Sequence, residues 1–301
     1  LAECDTRVMR GRRLDAGDFD KLSIQDPVRD FLLWLNNPEV FEASAKGARW
    51  ESFRAVSKSE LGVDPDKTPA AEVAGRLIRA EFGLDRVWSR FAESPQLYPG
   101  VAKLLREPAG VGQGLLVLDP SRDPRINERD EADLRLDLQT AAALQHAGAC
   151  AKVLELEGKH ATRRDWVWAR TEMSPWALAL RPLARLAQAA QKPVGGETLP
   201  AAAAEYATSG WECDAAAMEA FGSFRNGADA ALLVRIVRAL YEPWLDASAR
   251  HFQALVAKEP KETVKGVVQP PAEKDTCLLF VDGLRFDLAG KLASRLESRG
   301  F

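Results

Sequence analysis

A helix-start signal recurs along most of this chain. A residue able to cap a helix through its side chain stands directly before proline at Asp26-Pro27, Thr68-Pro69 and Ser174-Pro175. Proline is favoured at the first helical position, because the N–H that it lacks would have no partner there. The recurrence predicts a mainly α, multi-helical chain.

Proline and apolar spacing also predict where helices end. The helix that starts after Asp26 should stop at Asn36-Asn37-Pro38, because the residue before a proline is pushed out of the helical conformation. A second helix should follow through Phe41. Asn127 and Asp130 resemble a capping pair for a long helix that runs to about residue 148.

Three later segments complete the predicted organisation. Residues 192–200 hold two prolines and two adjacent glycines, which favours a loop, and residues 228–256 keep helical spacing with Pro243 as a predicted kink or break. Lys, Glu and Pro dominate residues 258–274, which predicts a linker. We therefore divide the chain into a helical region at 1–192, its continuation at 193–257, the linker, and a new domain from 275 to 301. The short run at 115–118 fits a strand or a buried helix equally.

Composition excludes several classes of protein. Hydrophobic residues make up 46% and charged residues 28% of the chain, as in ordinary globular proteins. No apolar run approaches the length of a membrane span, and no signal-peptide pattern opens the sequence, so we expect a cytoplasmic protein with no membrane partner. The net charge of −3 excludes a chain-wide attraction to nucleic acid and leaves only local basic patches. The four cysteines stand singly, without the spacing of a zinc pair.

The end of the sequence carries the clearest chemical pattern. Residues 276–281 form an apolar run that fits a strand buried on both faces, and residues 287–298 follow with the period of a helix. Asp282 and Gly283 lie between them, at the carboxyl end of the predicted strand, where ligands of α/β sheets gather. Asp282 is predicted either to ligate a metal or to stabilise its own turn.

A family resemblance favours the metal. Residues 280–287, Phe-Val-Asp-Gly-Leu-Arg-Phe-Asp, resemble the first metal-binding motif of the alkaline phosphatase superfamily, in the version found in the PglZ domain. The helical region that precedes this domain in PglZ proteins is similar to several stretches of the present chain, which are residues 26–35, 87–91, 98–100, 159–169 and 174–187.

The PglZ family belongs to the BREX bacteriophage-defence systems, and its members are described as phosphatases. The resemblance implies two divalent metal ions, often zinc, a Thr or Ser nucleophile, and the ATPase and DNA methyltransferase of the system as partners. Only Asp282 carries over, as a metal ligand. The chain also opens without an initiator methionine. We therefore expect a fragment with the truncated first β-α unit of an alkaline-phosphatase-like α/β domain, catalytically inert and binding no metal by itself.

Three basic residues are weaker site candidates. Arg285 is predicted to contact a substrate phosphate or, alternatively, to pair with Asp287. Arg163 and Arg164 are candidates for contact with nucleic acid, with Trp166 and Trp168 beside them to stack on bases. The alternative is that the tryptophans pack in the core while the arginines form a solvated face.

Two other functions stay open. The helical region from residue 1 to about 256 is alternatively a scaffold that docks defence-system partners, without a catalytic role. A nucleotide pyrophosphatase/phosphodiesterase is a further alternative, because its first motif also contains Asp-Gly, an apolar residue and Arg. Such enzymes usually place the catalytic domain near the N-terminus, which disfavours this alternative.

Overall fold

The computed structural model describes residues 15, 20, 24–107, 119–224, 227–258 and 281–300. These residues are mainly helical and contain no strand, so the prediction of a mainly α protein is confirmed. The segment predicted as a strand or buried helix at 115–118 lies outside the described residues. So does the strand predicted from Thr276, except Val281, which has no regular secondary structure.

The chain forms two compact units. One contains residues 1–132 and 162–174, and the other contains residues 133–161 and 175–301. Both units are built from two separate stretches of sequence, so their bounds do not coincide with the predicted division at residue 192. Beyond Lys258, the predicted linker lies outside the described residues, as does the start of the predicted last domain up to residue 280.

The first two helices of the first unit begin where local capping predicts. The helices of this unit are α1 (Pro27–Asn36), α2 (Pro38–Ser44), α3 (Ala48–Leu61), α4 (Ala70–Ile78), α5 (Asp85–Glu93) and α6 (Pro99–Arg106). The Asp26 carboxylate accepts a hydrogen bond from the Arg29 N–H at 3.0 Å. The Asn37 side chain accepts one from Val40 at 3.2 Å, so the same residue ends α1 and caps α2. At α4, the helix starts one residue later than predicted.

Aromatic side chains fill the middle of the first unit. Phe53 is fully buried, and its ring centroid lies 4.7 Å from that of Phe41 and 5.6 Å from that of Trp50. Phe31 and Trp34 of α1 pack against the same ring. Offset and tilted aromatic pairs of this kind add to the free energy of burial. They fix α1, α2 and α3 around one core.

The contact between α1 and α6 requires a glycine. The Gly100 N–H donates to the Asn36 side-chain oxygen at 2.7 Å. A Cβ atom at Gly100 would lie 1.9 Å from the Asn36 carbonyl oxygen, far inside van der Waals contact. The glycine therefore sets how closely these two helices approach.

Helix α7 (Pro124–Ala141) corrects two predictions. It begins after Asp123, whose carboxylate accepts hydrogen bonds from the Arg125 backbone at 2.9 Å and from its guanidinium at 2.7 Å. Asn127 is fully buried and is not the capping residue. The predicted single helix to residue 148 is also wrong, because α7 ends at Ala141 and a new helix starts at His146.

The second unit packs around one central helix. Its helices are α8 (His146–His160), α9 (Pro175–Ala189), α10 (Leu199–Glu205), α11 (Trp211–Phe221), α12 (Gly227–Val256) and α13 (Phe286–Glu297). Helix α9 contacts α8, α11 and α12. Many of the buried residues at these contacts are alanines, among them Ala179, Ala187, Ala216 and Ala220. Small side chains allow the helices to approach closely.

Two features of this unit bear on the predicted organisation. The loop between α9 and α10 is confirmed, and Pro243 does not divide α12, which is continuous across it. A π-helical segment, Tyr206–Gly210, joins α10 to α11 and was not predicted.

Within the described residues, no helix combines the length and apolar character needed to cross a bilayer.

Candidate functional site

The terminal motif forms a turn directly before α13. Asp282 and Gly283 occupy the turn, and Gly283 has a φ of +67°, in the left-handed region that favours glycine. No neighbouring atom would meet a Cβ at Gly283, so the backbone conformation alone accounts for the glycine. The side chain of Asp282 is exposed. Its carboxylate is therefore accessible to solvent, and its role as a metal ligand stays a prediction.

Arg285 forms the ion pair predicted as the alternative to a phosphate contact. Its Nε donates to the Asp287 carboxylate at 3.0 Å. Asp287 is almost fully buried in the first turn of α13, whereas 43% of the Arg285 side chain is exposed. The buried carboxylate anchors the guanidinium at the surface. A phosphate contact by the exposed part of Arg285 stays a prediction.

Tyr206 links this helix to a second group of polar residues. Its ring centroid lies 5.8 Å from that of Phe286, at the start of α13. Its hydroxyl donates to Oδ2 of Asp214 at 2.6 Å, and the Tyr241 hydroxyl donates to Oδ1 of the same carboxylate. Burial, followed by the neighbouring Asp214 carboxylate, raises the pKa of both tyrosines. Both phenols therefore stay protonated as donors at neutral pH.

The described turn at residues 281–285 offers one carboxylate as a metal ligand. Among the described residues, no group of three or more His, Cys, Asp or Glu side chains has the arrangement of a metal site. Asp282 offers an oxygen ligand that suits a hard or borderline cation, and Asp287 is already engaged by Arg285. The residues present fit part of a coordination shell and do not make up a two-metal site.

Arg163 has a position that conflicts with the predicted nucleic-acid contact. Its side chain is only 3% exposed. The guanidinium donates to the Asn127 side chain and to the Glu131 carboxylate, both at 2.8 Å, inside the first unit. Such a group cannot reach a phosphate without opening the unit. The expectation of a solvated face at Arg163 is wrong for the same reason.

The neighbours of Arg163 differ in how deeply they are buried. Trp168 is fully buried and Trp166 packs against the same core, which confirms the alternative in which the tryptophans are structural. The Trp168 ring centroid lies 6.3 Å from that of Trp88, in an edge-on arrangement. Arg164 is half-buried, and its contact with nucleic acid stays a prediction.

Two histidines of the second unit contact backbone carbonyl groups. The ring nitrogens of His146 lie 3.3 Å from the Ala239 carbonyl oxygen and 3.0 Å from that of Ala190. His251 Nε2 lies 2.7 Å from the Gly196 carbonyl oxygen. These contacts tie α8 to α12 and to the end of α9, and α12 to the loop before α10, so both histidines serve packing.

Sequence analysis missed the cluster around Asp214. Its members lie at positions 206, 214 and 241 on three different elements, and only folding brings them together. The one available signal is that Tyr206 and Asp214 are eight residues apart, a spacing that falls near one face of a helix.

Comparison of the chain with family models, with curated proteins and with solved structures finds no match.

Proposed function

We propose that this chain is the helical front region and first metal-binding turn of a PglZ-like, metal-dependent phosphoric-ester hydrolase from a BREX bacteriophage-defence system. The observation that carries the proposal is the turn at residues 281–285. An exposed carboxylate, Asp282, precedes a left-handed Gly283 and stands just before a helix. This is the local geometry expected of the superfamily's first metal ligand.

The roles of the chain's own residues follow from that geometry. Asp282 would hold one divalent ion, zinc in this proposal, through its carboxylate. A bound pair of such ions would supply nucleophile activation and charge neutralisation for an in-line displacement. Arg285, anchored by the buried Asp287, directs its exposed edge toward a substrate phosphate. The nucleophile and the other ligands belong to further residues of the parent protein.

The exposed face of α13 supports a further packing layer in the parent. Leu288, Leu292 and Leu296 lie four residues apart and are 48%, 36% and 40% exposed. A helix with such a face normally buries it against another element. In the proposed parent, that element is the sheet of the alkaline-phosphatase-like domain. Cytoplasmic location and association with the ATPase and DNA methyltransferase of the system belong to the same proposal.

Hydrolysis assays on two forms of the protein test this function. The full-length parent, supplied with zinc, should hydrolyse p-nitrophenyl phosphate or bis(p-nitrophenyl) phosphate, and a chelator should abolish turnover. The 301-residue chain should be inert under the same conditions, because a single carboxylate cannot hold two ions. Turnover by the 301-residue chain that Asp282→Ala abolishes would contradict the proposal. A parent without metal or turnover would contradict it too, and would favour the scaffold.

A further inference from the structure

A cleft in the second unit combines apolar walls with one carboxylate. It has a volume of about 370 Å³ and lies among α10, α11, α12 and the loop before α10. This volume is within the range of small-molecule sites. Its walls are mainly alanine, valine, leucine and aromatic side chains, and Asp214, Tyr206, Ser248 and His251 supply the polar atoms.

Asp214 has two hydrogen-bond donors but no cation. The hydroxyls of Tyr206 and Tyr241 occupy one carboxylate oxygen each. Within the described residues, no Lys, Arg or His side chain forms an ion pair with Asp214. Two other polar groups that line the cleft contact the backbone, since Ser248 accepts from the Val194 N–H at 3.0 Å and His251 Nε2 lies 2.7 Å from the Gly196 carbonyl oxygen. The half-buried Asp214 carboxylate is therefore hydrogen-bonded but forms no ion pair among the described residues.

Aromatic rings surround the same space. Tyr206, Trp244 and Phe252 line the cleft, and Trp244 is held by its indole N–H, which donates to the Lys192 carbonyl at 2.9 Å. Tyr206 stands at the start of the π-helical segment, a form of helix that often occurs at functional sites. Ring faces attract cations, most strongly when the cation is shielded from water.

We propose that this cleft binds a small organic cation that carries a quaternary ammonium group. Asp214 supplies the opposite charge, and the aromatic rings supply the faces on which the methyl groups pack. A quaternary ammonium suits this cleft better than a primary one, because its methyl groups pack against apolar and aromatic walls and it has no N–H groups that need acceptors there. Tyr206 lines the cleft, whereas Tyr241 acts as a positioning residue that holds the carboxylate.

Choline and its neutral isostere, 3,3-dimethyl-1-butanol, make a direct test. The two molecules have nearly the same shape and differ in the charge of the quaternary centre. Isothermal titration calorimetry at low salt should detect choline binding to the 301-residue chain, with the neutral alcohol at least ten-fold weaker. No choline binding, or equal binding of the two molecules, would overturn the proposal.

Variants assign the binding to this cleft. Asp214→Asn removes the charge and keeps one acceptor oxygen, so one tyrosine still donates while the other accepts from the new NH2 group. This variant should bind choline at least ten-fold more weakly. Phe252→Ala removes a wall residue that is 53% exposed, so the fold should stay intact. The affinity for choline should fall several-fold. The control is Phe221→Ala, an exposed phenylalanine of the same unit outside the cleft, which should bind as the wild type does. Unchanged affinity in both folded cleft variants would contradict the assignment, whatever the proposed hydrolase does.

Discussion

Arg163 lies at the centre of a buried polar network in the first unit. Its guanidinium reaches the Glu131 carboxylate at 2.8 Å and both oxygens of Asn127. The Asn127 side chain in turn accepts from the Ser174 hydroxyl and donates to the Met173 carbonyl, both at 2.8 Å. Buried charges are stable only when they are paired and hydrogen-bonded in this way.

Removal of the buried guanidinium should destabilise the protein strongly. Arg163→Ala leaves the Glu131 carboxylate without this partner, and such a loss lowers the free energy of unfolding by about 3–5 kcal/mol. The half-buried neighbour Arg164 provides a matched control, because Arg164→Ala should change the free energy of unfolding by about 1 kcal/mol or less. Urea denaturation followed by circular dichroism measures both. Equal effects of the two substitutions would contradict the description of this network.

Asp123 should make stability depend on pH. Burial alone would raise its pKa, but the hydrogen bonds and charge of Arg125 outweigh burial and lower it. A carboxyl group whose pKa is lower in the folded state stabilises that state above its unfolded pKa of about 3.9. This contribution is then lost as the pH falls through the folded value.

Asp123→Asn should therefore lower the free energy of unfolding by about 1–3 kcal/mol at pH 7, because charge-assisted hydrogen bonds are lost. The difference from wild type should shrink as the pH drops below about 3.9. Denaturant titrations at pH 7 and pH 3 measure it, with the exposed Glu42→Gln as the control. A difference that stays constant between the two pH values would show that Asp123 does not act through its charge.

At the scale of elements, two glycines in helices should respond oppositely to the same substitution. Gly100→Ala places a Cβ 1.9 Å from the Asn36 carbonyl oxygen and so forces α6 away from α1. We expect Gly100→Ala to lower the free energy of unfolding by about 1–3 kcal/mol or more. Gly158→Ala in α8 meets no atom within 4 Å and should stabilise the protein by about 0.5–1 kcal/mol. Thermal unfolding compares them, and a stabilising Gly100→Ala would contradict the close helix contact.

Element starts were predictable where the capping contact is local. The Asp26 and Asn37 caps bond backbone groups three residues ahead, so the signal is contained in the sequence. Asn127 was misassigned because its partners, Arg163 and Ser174, lie 36 and 47 residues away. No local pattern indicated the π-helical segment. The Asp214 cluster beside it was missed because its members lie on three different elements.

At the scale of the whole molecule, the sequence predicts the mainly α fold class but not the division of the chain into two compact units. Helix-forming patterns act over a few residues, whereas the two compact units each join stretches that are distant in sequence. The candidate metal site behaves likewise. Its turn was predicted from Asp282 and Gly283, but a two-metal site needs several ligands that are distant from one another in sequence, and a local pattern does not predict those.

The metal content of the full-length parent tests the central proposal most directly. Purified wild type, Asp282→Asn and the exposed control Glu297→Gln would be dialysed against zinc-buffered solution, and bound zinc would be measured by mass spectrometry. The proposed role of Asp282 predicts that wild type and Glu297→Gln retain two zinc ions per chain, whereas Asp282→Asn loses at least one. Full zinc content in a folded Asp282→Asn parent would contradict the assignment of Asp282 as a metal ligand.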